Sequence, residues 1–370
     1  MRLDEERGAG SRTADPTGGR PARPPADTLP RRPSAGLAAP GRGYWALVGI
    51  LIGLDAFWLA LAGIDLAWPG PLAVSGAVAV LLGLAFLFSA VRPEPKLRAM
   101  ALSSAYLATF TTAAALLHYL SATLALPLAD PALARIEAVL GFDWRGWVGF
   151  LAEHPDLSWW LALAYHSSGP QVGLVVIALS AVSRVARLWS YVRLFTLALL
   201  ASIAVSALFP AVGPYAHYAP QVYPQGHLET VGALWHLDAL QALRDHRLPV
   251  IALSEIRGLV TFPSFHACLA VLTAWALAPV PVIGPLAILL NGAIIVATLG
   301  AGGHYLQDVL AGTLMGIGLV ACRRVGQGRT FAAARATPLA PSIPTMEPIP
   351  HPRPVIRLID ARRPASAGGG

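Results

Sequence analysis

Long apolar runs alternate with short polar segments between residues 45 and 320. Most runs are long enough for a helix to cross the ~30 Å hydrocarbon core of a bilayer at ~1.5 Å per residue. The pattern therefore predicts an all-α protein, a polytopic membrane bundle of about eight transmembrane helices. The predicted crossings are 45–68, 72–91, 100–125, 157–182, 191–210, 263–278, 285–299 and 304–320.

The segments outside these crossings differ in pattern. Residues 126–157 have apolar positions at helical spacing, with Trp144 and Trp147 among them, and predict short helices lying at the membrane interface. Residues 211–260 predict a long polar loop. The Pro-, Gly-, Ala- and Arg-rich ends predict disordered tails at 1–43 and 324–370, which leaves 44–323 as the transmembrane domain.

Composition supports a membrane protein. The 370 residues are 55% hydrophobic and 13% charged, with a mean hydropathy of +0.58, which excludes an ordinary soluble domain. The net charge of +7 belongs to the ends, because residues 44–322 contain eleven Lys or Arg against thirteen acids. We therefore expect the lipid bilayer, and no nucleic acid, as a partner.

Basic residues also orient the predicted bundle. One side of the predicted bundle holds the two tails and the short loops that contain Arg92, Lys96, Arg184 and Arg187. The other side holds two long loops, in which acidic residues outnumber basic ones. The positive-inside rule then predicts cytoplasmic termini and an outward-facing 211–260 loop. We expect an integral protein of a bacterial inner or plasma membrane.

Candidate chemistry lies at the ends of the last crossings. His266 follows Pro263 and Ser264, and His304 lies 38 positions later, directly after Gly303. That separation corresponds to about two crossings, which returns His304 to the membrane face that holds His266. Asp308 follows His304 by four residues, so on a helix the two side chains share one face.

This arrangement suits phosphoryl transfer. Helix N-termini near Ser264 and Gly303 would offer backbone amides to an anion. His304 could attack phosphorus if Asp308 fixed its tautomer, and His266 could protonate the leaving oxygen. The competing interpretation is that His304 and Asp308 are a packing pair or half of a metal site.

Two segments carry a family resemblance. Residues 262–267 (FPSFHA) and 303–312 (GHYLQDVLAG) resemble the second and third motifs of the type 2 phosphatidic acid phosphatase superfamily, in particular its inositolphosphotransferase and inositol-phosphorylceramide synthase-like branch. The resemblance covers roughly residues 130–322 and implies a six-helix catalytic core. It makes His304 the nucleophile, His266 the acid and Asp308 the partner of His304, with no metal or other cofactor required.

The implied activity is that of a lipid phosphatase or phosphotransferase acting on a lipid phosphate or phosphodiester through a phosphohistidine. Two departures weaken phosphate binding: Thr298 replaces an Arg of the larger branch, and the Lys and Arg-Pro motif has no counterpart. A catalytically silent transporter or assembly protein therefore stays open as an alternative. Candidate substrate-binding residues are Ser264, Gly303, Arg257 and His217, with Arg244 as a further cation.

Polar residues within the predicted crossings complete the candidates. His166 and Gln171 could line a substrate cavity or bridge helices, because polar groups at that depth usually face the bundle interior. We expect Asp55 and His118 to be buried, paired groups.

Overall fold

The computed structural model describes residues 40–218, 234–259 and 262–336, with side chains described to Arg323. Most of both predicted tails therefore lies outside the described residues, and so does 219–233 of the predicted polar loop. The described chain is overwhelmingly helical, which confirms the predicted all-α fold class. Its helices are α1 (Arg42–Ala62), α2 (Pro69–Phe86), α3 (Pro95–Ser121), α4 (Asp130–Val139), α5 (Trp144–Glu153), α6 (Pro155–His166), α7 (Ser168–Ala181), α8 (Val185–Leu208), α9 (Pro214–His217), α10 (Leu237–Arg244), α11 (Phe265–Leu277), α12 (Ile283–Gly300) and α13 (Leu306–Ala336).

By contacts, the chain divides into Met1–Cys322, which contains the bundle, and Arg323–Gly370. In the second unit the described residues, 323–336, are helical.

Six helices in the described part are long and apolar enough to cross a membrane, which confirms an integral membrane bundle. They are α1, α2 with its π-helical extension to Val91, α3 with its 3₁₀ extension to Leu124, α8, α12 and the apolar part of α13. The pair α6–α7 is a seventh candidate, bent by 47° at its break. The remaining predicted crossing, 263–278, corresponds to α11, which has only 13 residues.

The bend between α6 and α7 replaces the single straight crossing predicted at 157–182. Pro170 has no N–H to donate to the carbonyl of His166, one helical turn earlier. Ser167, at the break, donates its hydroxyl to the carbonyl of Ala164 at 2.6 Å. The helical hydrogen-bond ladder is therefore interrupted where the chain bends, a local effect that hydropathy does not register.

Helix α3 lies at the centre of the amino-terminal half. It packs against α1, α2, α7 and α8. The buried hydroxyls of Tyr106 on α3 and Thr196 on α8 are 3.0 Å apart, and Tyr106 stacks on Phe110. In contrast, α2 exposes nearly all of its apolar side chains, as expected for a helix that faces lipid.

The segment predicted as a long polar loop contains ordered elements in its described part. Helix α10 is amphipathic and buries Leu240 and Leu243 against the carboxyl end of α3. Strand β2 (Val250–Ile251) pairs in parallel with β1 (Asp65–Leu66), a two-residue pairing that ties this loop to the end of α1. Such a short pairing is set by tertiary contacts and has no distinctive sequence pattern.

Residues 126–157 form the short helices α4 and α5, as expected from their apolar spacing. Trp144 packs inside the protein, and the interfacial position of these helices stays a prediction. This indole is 1% exposed, and its Nε1–H donates to the carbonyl of Leu299 at 2.9 Å. Helix α5 begins at Trp144 because Asp143 caps it, accepting from the amide of Gly146 at 2.9 Å. The cap turns the indole toward the end of α12.

Candidate active site

The chain reaches His304 through a tight turn after α12. Gly303 has a φ of 66°, in the left-handed region that favours glycine. A Cβ at Gly302 would lie 2.7 Å from the ring of Tyr165 and 2.8 Å from the carbonyl oxygen of Thr298. Gly302 has no space for a side chain, and Gly303 has a backbone conformation that other residues rarely adopt. The two glycines therefore let the backbone turn directly against α6. His304 follows, with its amide donating to Thr298 O at 3.2 Å.

His304 and Asp308 form the predicted pair, although His304 is not helical. Helix α13 begins only at Leu306. Asp308 Oδ2 nevertheless lies 3.3 Å from His304 Nδ1 and also accepts from the amide of Tyr305 at 3.2 Å. His304 is 5% exposed and Asp308 is fully buried. A carboxylate can only accept, so the imidazole proton belongs on Nδ1 and Nε2 keeps its lone pair.

The carboxylate of Asp308 can accept a further hydrogen bond. Its Oδ1 is buried and has no hydrogen-bond partner within the described ranges. A positive charge developing on His304 would be stabilised by this desolvated carboxylate more strongly than in water.

Ser264 positions the other histidine. Its hydroxyl accepts from the amide of Ala267 at 3.4 Å, so Ser264 is the N-cap of α11. Pro263 therefore precedes the helix, and the helix begins near Ser264 as predicted. The fully buried Ser264 also donates its amide to the carbonyl of Asp308 at 3.0 Å, which joins the start of α11 to the start of α13.

His266 bonds to a residue that the sequence analysis missed. Its Nδ1 lies 3.0 Å from the hydroxyl of Tyr165, and the two rings are 4.5 Å apart between centroids. As a proton donor, His266 must be an imidazolium: its Nδ1–H then donates to the hydroxyl oxygen of Tyr165, and its Nε2–H is the proton that can be given to a substrate. Tyr165 occupies an apolar helix with other aromatic residues, so nothing in the sequence distinguished it from packing residues.

Both histidines line one cavity of about 320 Å³ between α3, α8 and the start of α11. Ligand sites in proteins commonly have volumes of this order. Arg257, the predicted cation, lies on the same wall. Its guanidinium is exposed and rests over the ring of Trp235, 4.8 Å from the centroid, while Tyr119 OH accepts from its amide at 2.7 Å.

The other predicted substrate-binding residues lie near the two histidines but outside the lining of this cavity. Gly303 precedes His304 in the turn already described. His217 is exposed and packs against Tyr305, with ring centroids 6.4 Å apart, but it is not among the residues lining the cavity. Arg244 lines a small adjoining cavity with His118 and has a buried Nη1 without a partner in the described structure.

Two carboxylates of α4 hold the turn at His304, and the sequence analysis did not identify them. Asp130 accepts from the amides of Val212 and Gly213, each at 2.9 Å, and from Tyr305 OH at 3.0 Å. Glu137 accepts from the amide of Leu306 at 2.9 Å. The apolar spacing that predicted an interfacial helix hides these two inward-facing acids.

Burial changes the titration of this network. Desolvation raises the pKa of Glu137, although bonds from the amide of Leu306 and from Tyr218 oppose the shift. Desolvation and the nearby charge of Asp130 also raise the pKa of Tyr305 well above its ordinary value. Tyr305 therefore stays a neutral donor to Asp130 at physiological pH.

The remaining polar candidates are either hydrogen-bonded within the protein or exposed. Thr298 is fully buried and donates to the carbonyl of Ile294 at 2.7 Å, so it supplies no replacement for the absent Arg. Gln171 bridges α7 and α12 by accepting from Asn291 at 2.7 Å, whereas His166 is exposed. His118 is paired as expected, with Nε2 3.2 Å from Ser206 Oγ. No group of three His, Cys, Asp or Glu side chains in the described part could hold a metal ion.

A family model described as the PAP2 superfamily matches residues 131–322. The match covers more than half of the 370 residues and includes both motif segments. The chain therefore belongs to the PAP2 superfamily. No curated protein and no solved structure matches it.

Proposed function

We propose that this PAP2-superfamily chain is a membrane-embedded phosphoesterase or phosphotransferase acting on a lipid phosphate or phosphodiester. Family membership supports phosphatase- or phosphotransferase-type activity, and the spanning helices support a bilayer environment. The observation that carries the proposal is the pair of differently bonded histidines on one cavity wall. His304 is bonded to Asp308 and His266 to Tyr165, which suits one to attack and the other to transfer a proton.

In the first step, the Nε2 lone pair of His304 attacks phosphorus. A P–N bond forms while the bond from phosphorus to the leaving oxygen breaks. His266 gives its proton to that oxygen, so an alcohol leaves. The carboxylate of Asp308 compensates the positive charge that develops on the His304 ring.

In the second step, a hydroxyl group replaces the leaving alcohol. His266 takes its proton, the oxygen bonds to phosphorus, and the P–N bond breaks to regenerate His304. Water as this nucleophile gives a phosphatase, and a lipid or sugar alcohol gives a phosphotransferase. The resemblance to the inositolphosphotransferase branch favours an alcohol acceptor as the case to test beside water.

The phosphate charge must be balanced by groups around the two histidines. The first amides of α11, which begin after Ser264, have no partners within their own helix, and the turn at Gly303 lets backbone approach closely. Arg257 supplies a full positive charge on the cavity wall. His217, beside Tyr305, is proposed to contact the substrate outside the cavity.

We place the cavity on the outer side of the membrane, with both termini in the cytoplasm, on the basis of the loop charges. A topology reporter inserted at His246, between α10 and β2, should report the outer side. The same reporter fused after Gly370 should report the cytoplasm. Signals from one and the same side would contradict this orientation.

The test of function uses purified full-length protein in a nonionic detergent. One reaction contains phosphatidic acid labelled with ³²P, and another contains phosphatidylinositol labelled in its phosphate together with ceramide as acceptor. We expect an alkali-stable, acid-labile phosphoenzyme and either inorganic phosphate or a transferred phosphoinositol. His304→Ala should abolish both label and turnover, while substitution of an exposed histidine between α5 and α6, His154→Ala, should keep both.

Two results would contradict the proposal. Substantial turnover by His304→Ala would place the nucleophile elsewhere. Absence of turnover and of phosphoenzyme with every substrate would favour the silent transporter or assembly protein. That alternative draws its support from Thr298, which is buried and uncharged where the larger branch has an Arg.

A further inference from the structure

A second cavity lies among α1, α2 and α3, and all of its lining residues except Leu253 precede the residues matched by the family model. Its volume is about 240 Å³, and its walls are mostly apolar. Leu66 of β1 and Leu253 just after β2 line it, so it reaches the end of the bundle where the two strands pair. Nothing in the proposed phosphoryl transfer uses this cavity.

Asp55 brings a carboxyl group to the cavity from within a membrane-spanning helix. It lies seven residues before the end of α1, or about 10 Å along the helix. The side chain is 3% exposed, and its Oδ1 has no hydrogen-bond partner in the described chain. The expectation that Asp55 is buried is confirmed, but the expected partner of this oxygen is absent from the described residues. An unpartnered ionisable group at this depth is costly and typically serves a ligand or an ion.

Two threonines of α3 add further acceptors to the cavity wall. Thr109 donates its hydroxyl hydrogen to the carbonyl of Ala105 at 2.8 Å, and Thr112 donates its own to Ala108 at 2.9 Å. Their oxygens retain lone pairs but have no hydrogen left to give. Among the described residues, no Lys, Arg or His lines the cavity. An occupant that matches this wall must supply both hydrogen-bond donors and positive charge.

We propose that this cavity binds a cationic amphiphile, a protonated primary amine on an alkyl chain. The ammonium donates to Asp55 and to the threonine oxygens, and the chain lies along the apolar walls. This pairing neutralises the charge of the buried carboxylate and gives its Oδ1 a hydrogen-bond donor. The proposal does not depend on the phosphoryl-transfer activity, because it rests on α1–α3 alone.

Dodecylamine, protonated at neutral pH, is the probe, and dodecanol is the neutral control of equal chain length. Binding to the full-length protein in an uncharged detergent is followed by calorimetry. We expect saturable binding of dodecylamine, and at least about tenfold weaker binding to Asp55→Asn, because the variant loses the buried charge pair. Asp65→Asn removes the same charge from exposed β1 and should bind like the wild type.

Equal affinities of wild type and Asp55→Asn for dodecylamine would overturn the proposal, as would equal affinities of the wild type for dodecylamine and dodecanol. A second variant covers the case in which Asp55→Asn fails to fold. Ser75 is exposed at the cavity, and Ser75→Trp should obstruct entry and weaken dodecylamine binding while Asp55 stays intact. Unchanged binding to Ser75→Trp would place the amine elsewhere. Without amine, Asp55→Asn should be at least as heat-stable as the wild type, because no bond to Oδ1 is lost.

Discussion

Gly312 on α13 offers a direct test of how closely the two histidines must be held. A Cβ at Gly312 would lie 3.0 Å from the carbonyl carbon of Ser264, closer still to its oxygen, and 3.3 Å from Cβ of Ala267. These three atoms belong to the N-cap and the first turn of α11, the helix that carries His266. The obstruction is largely backbone, so no flexible side chain can move away to relieve it.

Gly312→Ala should therefore separate the start of α11 from α13. Carbon atoms pack at about 3.5–4.0 Å, so the two backbones must move apart by roughly 1 Å. A displacement of that size in a catalytic arrangement costs about 10²-fold in rate. Overpacking should also lower the free energy of unfolding by about 1–3 kcal/mol.

The assay measures kcat and KM on the substrate identified above, with thermal unfolding measured in parallel. Gly318→Ala is the matched control, because it adds the same methyl group to the same helix where nothing lies within 4 Å. We expect normal kcat for Gly318→Ala and a large loss of kcat for Gly312→Ala in protein that is still folded. Full activity of Gly312→Ala would refute the argument that close approach of α11 and α13 sets the catalytic geometry.

Three further predictions concern groups around the histidines. His266→Ala should lose about 10²–10⁴-fold on an alkyl phosphate ester but much less on a p-nitrophenyl ester, whose leaving group needs no proton; equal losses would contradict the acid assignment. Tyr165→Phe should lower kcat more than it raises KM and shift the alkaline limb of the pH profile of kcat/KM, where the acid His266 loses its proton, whereas an unshifted profile would assign Tyr165 a packing role only. Burial raises the pKa of Glu137, so the folded state binds the proton of this side chain more tightly than the unfolded state does. The bound proton therefore stabilises the fold at low pH, and this stabilisation is lost as pH rises from about 4.3 through the raised pKa. Melting temperatures should show the wild type losing stability relative to Glu137→Gln over that range, and parallel curves would contradict it.

Hydropathy predicted the fold well because a membrane span is a property of a whole segment. A helix such as α1 or α8 is apolar over its entire length, so its existence does not depend on contacts with other helices. The break at Ser167 follows from the missing N–H of Pro170 and one side-chain hydrogen bond, and the pairing of Asp65 with Val250 belongs to a two-residue ladder. Average hydrophobicity carries no information about such local events.

The contacts of the candidate site are likewise of two kinds, local ones that the sequence predicted and long-range ones that it did not. The spacing of His304 and Asp308 is local, and the sequence predicted their contact although His304 precedes the helix instead of lying in it. The partner of His266, in contrast, is 101 positions away at Tyr165. The bond from Tyr305 to Asp130 spans 175 positions. Pairings at such distances follow from how the helices pack, which no periodicity in one sequence expresses.

Asp308 connects the two histidines through separate groups of one residue. Its side chain bonds to His304 and to the amide of Tyr305, whereas its main-chain carbonyl accepts from the amide of Ser264, the cap of the helix that carries His266. Motion of the first turn of α13 would therefore displace both histidines together. The glutamate and aspartate of α4 restrain that same turn from the other side. The helix that hydropathy identifies only as the last crossing is thus the element on which the relative position of both catalytic candidates depends.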